Sequence, residues 1–381
     1  MTITREELDL YVAGHLEETR RLVETLCRIP APLGRERARA EFCKQWLESH
    51  GAETVHLDEA DNAVLELNAR DNTALTLFTA HTDTVFPDTT PFEPVERDGK
   101  LFCPGVCDDT ANLAVLLMAA RFLLERGILP ANGLVIAANS GEEGLGNLKG
   151  CRQLMETYRG RVARLISFDG YEHAMWNQAV GSRRYQVTVR TPGGHSFRDF
   201  GSPNAIAELA RLLDDLYAIS PRQGPAGSTT TYNVGTISGG TSVNTIAQEA
   251  SMLYEYRSDA AEALEGMEQA FQAVLASRRD EDVEITAELL GTRPCAGNVD
   301  PAAQRELTEL CAAVLKRHTG REPHCESGST DCNIPLSLGI PAVSFGLCSG
   351  DGAHTREEWL EIASLERGLR IALDILLQFA F

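Results

Sequence analysis

Residues 74–83 read ALTLFTAHTD, an apolar run followed by a histidine and an aspartate two positions apart. The continuous run Ala74–Thr79 is typical of a strand that is buried on both faces of a sheet. His81 lies just past the predicted end of that strand. This position indicates a binding site, because ligands of parallel sheets collect beyond the carboxyl ends of the strands.

The same arrangement recurs twice further along the chain. Leu134–Ala138 is a second apolar strand, and it leads into the turn Gly141–Gly144, which holds two glutamates. Val162–Phe168 is a third such strand, and it leads into Asp169. A helical pattern over Thr110–Glu125 separates the first strand from the second. Strands that alternate with helices predict an α/β domain with a mainly parallel sheet covered by helices.

The pattern changes near Val180, where apolar and polar residues begin to alternate as they do in half-buried strands. The segment that follows predicts the order strand-helix-strand-strand-helix-strand, which is that of a ferredoxin-like α+β module. Its predicted elements are Tyr185–Arg190, Asn204–Ala218, Thr229–Ile237, Ala250–Tyr256, Ala261–Ser277 and Val283–Leu290. We therefore expect a discontinuous catalytic domain, residues 1–179 and 293–381, interrupted by an inserted domain of residues 180–292.

Further elements are predicted on both sides of the insert. A capping box, Thr4-x-x-Glu7, predicts the start of a first helix. The next predicted elements are a helix and two strands, at Arg35–His50, Thr54–Leu57 and Ala63–Asn68. After the insert, the predicted elements are a helix, a strand and a closing helix, at Pro301–His318, at Pro341–Phe345 and from Ser364.

The composition excludes several classes of partner. The chain has 381 residues and a formal net charge of −20, which argues against nucleic acid and anionic membranes as partners. The N-terminus lacks the apolar segment of a secretory signal, and the longest strongly apolar run, Leu113–Ala120, is too short to span a bilayer. Ten cysteines without a framework pattern are expected to be reduced thiols of a cytoplasmic protein.

Five separate stretches each offer a metal ligand where a strand or turn has just ended. Two imidazoles and several carboxylates form a mixed ligand set that suits Zn²⁺, with Co²⁺ or Mn²⁺ as weaker candidates. The stretches are His81-Thr82-Asp83, Cys107-Asp108-Asp109, Gly141-Glu142-Glu143-Gly144, Phe168-Asp169-Gly170 and Gly352-Ala353-His354-Thr355. Because one tetrahedral zinc needs fewer ligands than this, the set predicts two metal ions in each chain.

Individually, most of these residues have a plainer interpretation. His81 alone could be a surface histidine, and Asp108-Asp109 could cap the helix that follows. The pair Glu142-Glu143 is harder to explain, since adjacent charges repel each other at the end of a buried strand. Two roles fit that pair: one glutamate binds metal, and the other takes a proton from metal-bound water. Asp83 is placed to hold the second ring nitrogen of His81.

Taken together, the motifs resemble those of the di-zinc exopeptidases and deacylases. That family includes peptidase T, acetylornithine deacetylase, succinyl-diaminopimelate desuccinylase and aminoacylase. The resemblance covers nearly the whole chain. Beyond the five stretches, the matching motifs are Ser329-Thr330-Asp331, Gly193-Gly194-His195-Ser196 and Gly239-Gly240-Thr241-Ser242-Val243-Asn244. The resemblance implies that the inserted domain is a lid that also forms a homodimer.

The resemblance also implies the metal ligands. They are His81 and Asp169 for one ion and Glu143 and His354 for the other ion. The fifth ligand, Asp108, bridges both ions. A cis peptide bond often joins the bridging aspartate to the next residue in this family. Two Zn²⁺ per chain are therefore expected.

Roles in catalysis and substrate binding are implied in the same way. Glu142 is the general base, and Asp83 orients the first metal-binding histidine. His195 reaches the partner subunit's active site and steadies the oxyanion. Asn244 and Arg257 hold the substrate, Arg257 by pairing with a carboxylate.

Two positions bear on the sub-family and the substrate. The family often has a lysine or a similar residue where this chain has Thr110, which is not a ligand. Many deacylases and carboxypeptidases have glutamate where this chain has Asp169, so the aspartate favours peptidase T-like aminopeptidases. The leading hypothesis is hydrolysis of a short peptide, with a metal-bridging water as the nucleophile. Deacylation of an N-acyl amino acid, carboxypeptidase action, and a metal-free binding protein on this scaffold are the alternatives.

Overall fold

A computed structural model of the chain describes residues 3–221, 224, 227–278 and 280–381. The chain divides into two compact units, Met1–Ala179 with Gly297–Phe381, and Val180–Ala296. The second unit ends at Ala296 rather than at residue 292. The reason is that Cys295 belongs to the apolar core of that unit, where its Sγ donates a hydrogen bond to the Ser258 carbonyl at 3.3 Å.

The bounds of the elements agree with most of the predicted ranges to within a few residues. The helices of the described residues are α1 (Arg5–Cys27), α2 (Arg37–Ser49), α3 (Asn112–Glu125), α4 (Lys149–Thr157), α5 (Ala205–Tyr217), α6 (Ala261–Ser277), α7 (Pro301–Thr319), α8 (Asn333–Ser337) and α9 (Ser364–Ala380). The strands are β1 (Val55–Leu57), β2 (Ala63–Leu67), β3 (Leu75–His81), β4 (Val95–Arg97), β5 (Lys100–Phe102), β6 (Leu134–Asn139), β7 (Val162–Phe168), β8 (Ala174–Ala179), β9 (Gly181–Arg190), β10 (Gly194–His195), β11 (Thr230–Gly239), β12 (Thr245–Ile246), β13 (Glu249–Ser258), β14 (Glu284–Arg293), β15 (His324–Gly328), β16 (Ala342–Phe345), β17 (Gly350–Asp351) and β18 (Trp359–Glu361).

The starts of α1 and α3 illustrate how local signals act. The side chain of Thr4 accepts the N–H of Glu7 at 3.2 Å, and the Glu7 carboxylate accepts the N–H of Thr4 at 2.9 Å. The predicted capping box therefore starts α1. Helix α3 begins at Asn112 rather than at Thr110, because Val106–Ala111 form a π-helical turn in front of it.

The first unit is built on an eight-stranded sheet with the order β1-β2-β6-β3-β7-β16-β8-β15. The four central strands, β6, β3, β7 and β16, are parallel to one another. Strands β3 and β6 are buried along their whole length, as their continuous apolar sequences require. Helix α3 contacts β3, β7, α1 and α9, and every residue of Leu113–Ala120 is buried. The mixed, mostly parallel sheet confirms the predicted α/β fold class.

A small four-stranded sheet with the order β17-β18-β5-β4 belongs to the same unit. Its strands have only two or three residues each, so no sequence pattern predicts them. Strand β18 pairs with β5 through Trp359 and Phe102. This pairing brings the segment after His354 beside the segment that leads to Asp108.

The second unit has a four-stranded antiparallel sheet with the order β14-β9-β13-β11. Helices α5 and α6 contact each other and both pack on β9 and β13. They cover a core that includes Tyr254, Tyr256 and Phe271. The strand order is that of the predicted ferredoxin-like module. Within the described residues of the whole chain, no helix combines the length and the apolar character needed to cross a membrane.

Candidate metal centre

Three ligand-bearing segments follow the carboxyl ends of neighbouring parallel strands. His81 is the last residue of β3, where it pairs with Asn139 at the end of β6. The turn that holds Glu142 and Glu143 follows β6, and Asp169 directly follows β7. Because β3 lies between β6 and β7 in the sheet, the topology brings these three strand ends side by side.

Asp108 faces two histidines at once. It lies in the π-helical turn before α3, and its peptide bond to Asp109 is cis. Its Oδ1 atom lies 3.1 Å from Nε2 of His81, and its Oδ2 atom lies 3.1 Å from Nε2 of His354. This is the arrangement expected of a carboxylate that bridges two cations.

His354 reaches the centre from a turn after β17 in which its φ is +64°. Its Nε2 atom lies 3.2 Å from Oε1 of Glu143. The side chain of His354 is 57% exposed, whereas that of His81 is 1% exposed. The centre is therefore closed around His81 and open to solvent at His354.

Two overlapping groups of donor atoms are compact enough to hold a metal ion. The donor atoms of His81, Glu142 and Asp169 lie within 4.8 Å of one another, and so do those of His81, Asp108 and Glu143. Oδ1 of Asp169 also lies 3.9 Å from Nε2 of His81. The two groups contain four of the predicted metal ligands and the predicted base, Glu142. The fifth predicted ligand, His354, contacts Asp108 and Glu143.

Asp83 holds the turn of the two glutamates. Its Oδ1 accepts the N–H of Glu142 at 3.1 Å, and its Oδ2 accepts the N–H of Glu143 at 2.8 Å. The second ring nitrogen of His81, Nδ1, lies 3.0 Å from the backbone carbonyl of Asp83 and 3.6 Å from its carboxylate. Asp83 is expected to face His81 through its carboxylate, but the nearer atom is its carbonyl, because the carboxylate accepts the two amides of Glu142 and Glu143.

The charges of the centre fit a bound cation. Burial and the charge of Asp108 raise the pKa of Asp169 to about 7. Hydrogen bonds to Asp108 and Glu143 raise the pKa of His354 to about 11. For Asp108, the hydrogen bonds to His354 and His81 outweigh burial and hold its pKa well below the usual range. The buried carboxylates repel one another and favour any nearby positive charge, so the donor set fits divalent metal ions.

Two buried polar residues, Asn112 and Asp109, brace the ligands, and of these Asn112 has no sequence signal. The side chain of Asn112 donates to Asp109 Oδ1 at 2.6 Å and to the carbonyl of Gly170 at 2.9 Å, and its Oδ1 accepts the N–H of Leu347 at 2.8 Å. The carboxylate of Asp109 accepts the N–H of His81 at 2.7 Å. Because both residues are fully buried, these hydrogen bonds fix the relative positions of three ligand-bearing segments.

His195 lies in the second unit, and its tautomer is set by its own loop. Its Nδ1 atom accepts the N–H of Phe197 at 3.2 Å and the N–H of Arg198 at 3.3 Å. The neutral ring therefore carries its proton on Nε2. The side chain is exposed, so that Nε2–H is available as a donor.

Asn244 and Arg257 also belong to the second unit. The carbonyl of Asn244 accepts the N–H of Ser196 at 3.1 Å, which joins the loop of Asn244 to that of His195. Arg257 pairs with Glu255 through two bonds, of 2.9 Å and 3.1 Å. The ion pair with Glu255 neutralises part of the charge of Arg257. The side chain of Arg257 is 36% exposed, so it is accessible from solvent.

The chain is similar to one known protein family and to curated members of related function. The sequence model of one family, described as Peptidase family M20/M25/M40, matches residues 77–378. A succinyl-diaminopimelate desuccinylase of Bordetella petrii is 28% identical over 311 residues, which cover 77% of this chain and 79% of that protein.

Two solved structures share the fold. The aminopeptidase PepT of Bacillus cereus has a TM-score of 0.71 at 22% identity, and the match covers 96% of this chain and 99% of that one. A Bacillus subtilis protein described as a dinuclear metal binding peptidase has a TM-score of 0.63 at 15% identity, with 96% and 99% covered. These two structures confirm the fold, and the family model confirms the family resemblance.

Proposed function

The chain belongs to peptidase family M20/M25/M40, and on that premise we propose that it is a metal-dependent amide hydrolase in which Asp108 bridges two metal ions. The observation that carries the proposal is the position of the two oxygens of Asp108, each 3.1 Å from a different imidazole. A carboxylate that only capped α3 would have no reason to face His81 and His354, which lie far apart in the sequence.

The proposed ligands follow from the same contacts. They are His81 and Asp169 for one ion, Glu143 and His354 for the other, and Asp108 for both. Imidazole nitrogens mixed with carboxylate oxygens favour Zn²⁺, and Co²⁺ or Mn²⁺ also accept such a set. When bound, the ions act as Lewis acids that lower the pKa of a water molecule and polarise the scissile carbonyl.

Glu142 is proposed as the general base. The carboxylate of Asp83 fixes the backbone of Glu142 and Glu143, so the two side chains keep distinct positions. Glu142 takes a proton from the attacking water and later delivers it to the nitrogen of the leaving amine. The carbonyl carbon gains the water oxygen and the C–N bond breaks, so the products are a carboxylate and an amine.

His195 is proposed to stabilise the oxyanion in the partner subunit's active site of a homodimer. The support from this chain is the tautomer, since an Nε2–H donor is what a developing negative charge requires. The homodimer itself is proposed from the family resemblance. A two-fold contact is the commonest form of oligomer.

Arg257 is proposed to bind a carboxylate of the substrate, with Asn244 nearby in the sequence as a second contact. The register places Arg257 and Arg293 on the same row of the inserted sheet, on either side of Ser182, with Arg184 two residues further along the same strand as Ser182. Burial and the charges of Arg293 and Arg257 hold the pKa of Arg184 below its usual range. This concentration of positive charge supports recognition of an anionic group.

The substrate is proposed to be a short peptide, cleaved as by an aminopeptidase. The support is Asp169, which resembles the peptidase T-like members at this position. A second candidate, deacylation of an N-acyl amino acid, is favoured by the 28% identity to a desuccinylase. Carboxypeptidase action uses the same centre and differs only in which end of the peptide is recognised.

A substrate panel tests the proposal. Dipeptides, tripeptides, and N-acetyl and N-succinyl amino acids are incubated with protein loaded with Zn²⁺, Co²⁺ or Mn²⁺, and released amine is measured. We expect hydrolysis of one class, its loss with a chelator, and its absence in Asp108→Asn, which keeps the size of the side chain. A metal-loaded protein that hydrolyses none of these compounds would contradict the proposal and favour a binding protein.

A further inference from the structure

Glu358 is a fully buried glutamate whose carboxylate accepts hydrogen bonds from the backbone, and it forms no ion pair among the described residues. Its Oε2 accepts the N–H of Gly105 at 2.7 Å, and its Oε1 accepts the N–H groups of Cys107 and Asp108 at 2.8 Å and 2.9 Å. We call residues 105–108 the ligand turn. Three of its backbone donors therefore converge on one side chain.

The ligand turn is packed tightly as well as hydrogen-bonded. Gly105 has a φ of +73°, and a Cβ atom there would lie 2.7 Å from Cγ2 of Thr84. The turn is thus held by Thr84 at its first residue and by Glu358 along its length. Its last residue, Asp108, has little freedom to shift its backbone relative to these contacts.

Glu358 also connects the turn to the segment of His354. The carbonyl of Glu358 accepts the N–H of Cys103 at 3.0 Å, and the next residue, Trp359, pairs with Phe102. His354 lies four positions before Glu358 in the same segment. Glu358 therefore fixes the backbone of Asp108, and it belongs to the segment that also supplies His354.

Direct charge attraction does not explain this arrangement. Asp108 and Glu358 are both acidic, so the interaction between their side chains is repulsive when both are ionised. What holds Glu358 in place is the set of three N–H groups, which is the pattern of a carboxylate that shapes a loop. A role in shaping the turn, rather than in balancing its charge, accounts for the observations.

We propose that Glu358 is a positioning residue of the metal centre: it fixes the backbone of the ligand turn so that the two oxygens of Asp108 face His81 and His354. The proposal rests on the proposed function, because it assigns Glu358 a role toward the bound metals. Glu358 is 0% exposed and lies behind the turn, so it is not itself offered as a ligand.

The test is Glu358→Gln in the full-length protein. The amide of Gln has one oxygen and one N–H₂ group, so one or two of the three backbone donors must face another donor. Zn²⁺ and Co²⁺ are titrated into metal-free protein by calorimetry, and the visible spectrum of bound Co²⁺ reports the ligand geometry. We expect the metal affinity to fall about 10–100-fold, as for other residues that orient metal ligands, and the Co²⁺ spectrum to change.

A matched control is Glu268→Gln. Glu268 also accepts several hydrogen bonds, from Tyr185, Tyr256 and Arg183, but it lies in the inserted unit. The Glu268→Gln substitution is expected to lower the stability of the protein without changing the Co²⁺ spectrum or the metal affinity. This control separates a loss of general stability from a change at the metal centre.

The outcomes are distinct. Unchanged metal affinity and spectrum in folded Glu358→Gln would overturn the proposal. If that variant does not fold, Glu358→Asp, which keeps the charge but is one methylene shorter, takes its place with the same expectation. Failure of both to fold, even with metal supplied, would assign Glu358 to folding alone and also overturn it. A wild-type protein that binds no metal would instead contradict the proposed function.

Discussion

Oδ2 of Asp108 lies 3.1 Å from Nε2 of His354, although the inserted unit separates the two residues in the chain. The contact forms because Asp108 follows β5 and His354 precedes β18, and these strands pair in the small sheet. A site assembled from both sides of an insert depends on backbone pairing as much as on the ligands.

The first prediction concerns metal content. We expect the wild-type chain to bind close to two equivalents of Zn²⁺, because five side chains supply more donors than one tetrahedral ion needs. Asp108→Ala should reduce the content of both sites, since its two oxygens face different histidines. Elemental analysis after dialysis measures the ratio. A single equivalent that is unchanged in Asp108→Ala would remove the bridging assignment.

The second prediction separates the two adjacent glutamates. Glu142→Gln keeps the size of the side chain but cannot take up a proton, so kcat should fall by about 10²-fold or more while the metal content is kept. Glu143→Gln should lose metal, because Glu143 contacts His354 at 3.2 Å. Metal analysis and steady-state kinetics on both variants decide the matter. The reverse pattern would exchange the two roles.

The third prediction concerns His195. Its Nε2–H is proposed to stabilise the oxyanion, and loss of such a donor costs on the order of 10²–10³ in kcat. His195→Ala should therefore lower kcat with metal content and dimerisation unchanged. His195→Gln, which retains a side-chain N–H, is a control expected to lose less.

Mixed dimers test whether His195 acts across the subunit contact. A dimer of one His195→Ala and one Glu142→Gln subunit has one site with both wild-type residues if His195 serves the partner. Random exchange should then restore roughly a quarter of the wild-type activity, since half of the dimers are mixed and each has one complete site. Absence of recovery after demonstrated exchange, or a purely monomeric active protein, would contradict the prediction.

The fourth prediction concerns acid stability of the inserted unit. Burial opposes ionisation of Glu268, but hydrogen bonds from Tyr256, Arg183 and Tyr185 outweigh it and lower its pKa to about 2. A lowered pKa in the folded state stabilises the protein above the unfolded-state value and loses that effect as the pH falls toward 2. Glu268→Gln should cost on the order of 1–3 kcal/mol at pH 7 and less at pH 3.

Chemical denaturation of wild type and Glu268→Gln at several pH values between 7 and 3 measures that difference. Ionisable groups common to both proteins cancel in the comparison, so the change with pH reports on Glu268 alone. A free-energy difference that stays constant across this range would show that the charge of Glu268 does not contribute.

The sequence is informative where one strand or turn supplies both the position and the chemistry of a residue. His81 is the last residue of β3 and Asp169 directly follows β7, so their placement follows from strand prediction and the rule for parallel sheets. The capping box of α1 is predicted from Thr4 and Glu7, and the strand order of the inserted unit is predicted from its sequence of strands and helices. These features depend on local patterns of apolar and polar residues.

Features that depend on long-range contacts have no such signal. Asn112 resembles any polar residue at the start of a helix, yet its side chain joins three segments. Glu358 lies in an acidic stretch, Arg356-Glu357-Glu358, that is typical of a solvent-exposed turn, yet it is fully buried. Strands such as β5 and β18 have three residues each, too few for a periodic pattern. The same limit explains why the nearer contact of His81 with a backbone carbonyl of Asp83 could not be predicted.

The order of strands in the large sheet has a consequence during synthesis on the ribosome. Strand β16 lies between β7 and β8, but it follows the whole inserted unit in the chain. At about 5–20 residues per second, translation from Phe168 to Phe345 takes roughly 10–35 s. Throughout that interval the newly made β7 has an open hydrogen-bonding edge, and β8 has no neighbour in the sheet until β15 is made. Such open edges are prone to pairing with other chains. A nascent chain of this protein therefore needs protection until its last hundred residues emerge, and a fragment that stops at the end of the inserted unit retains the same open edge.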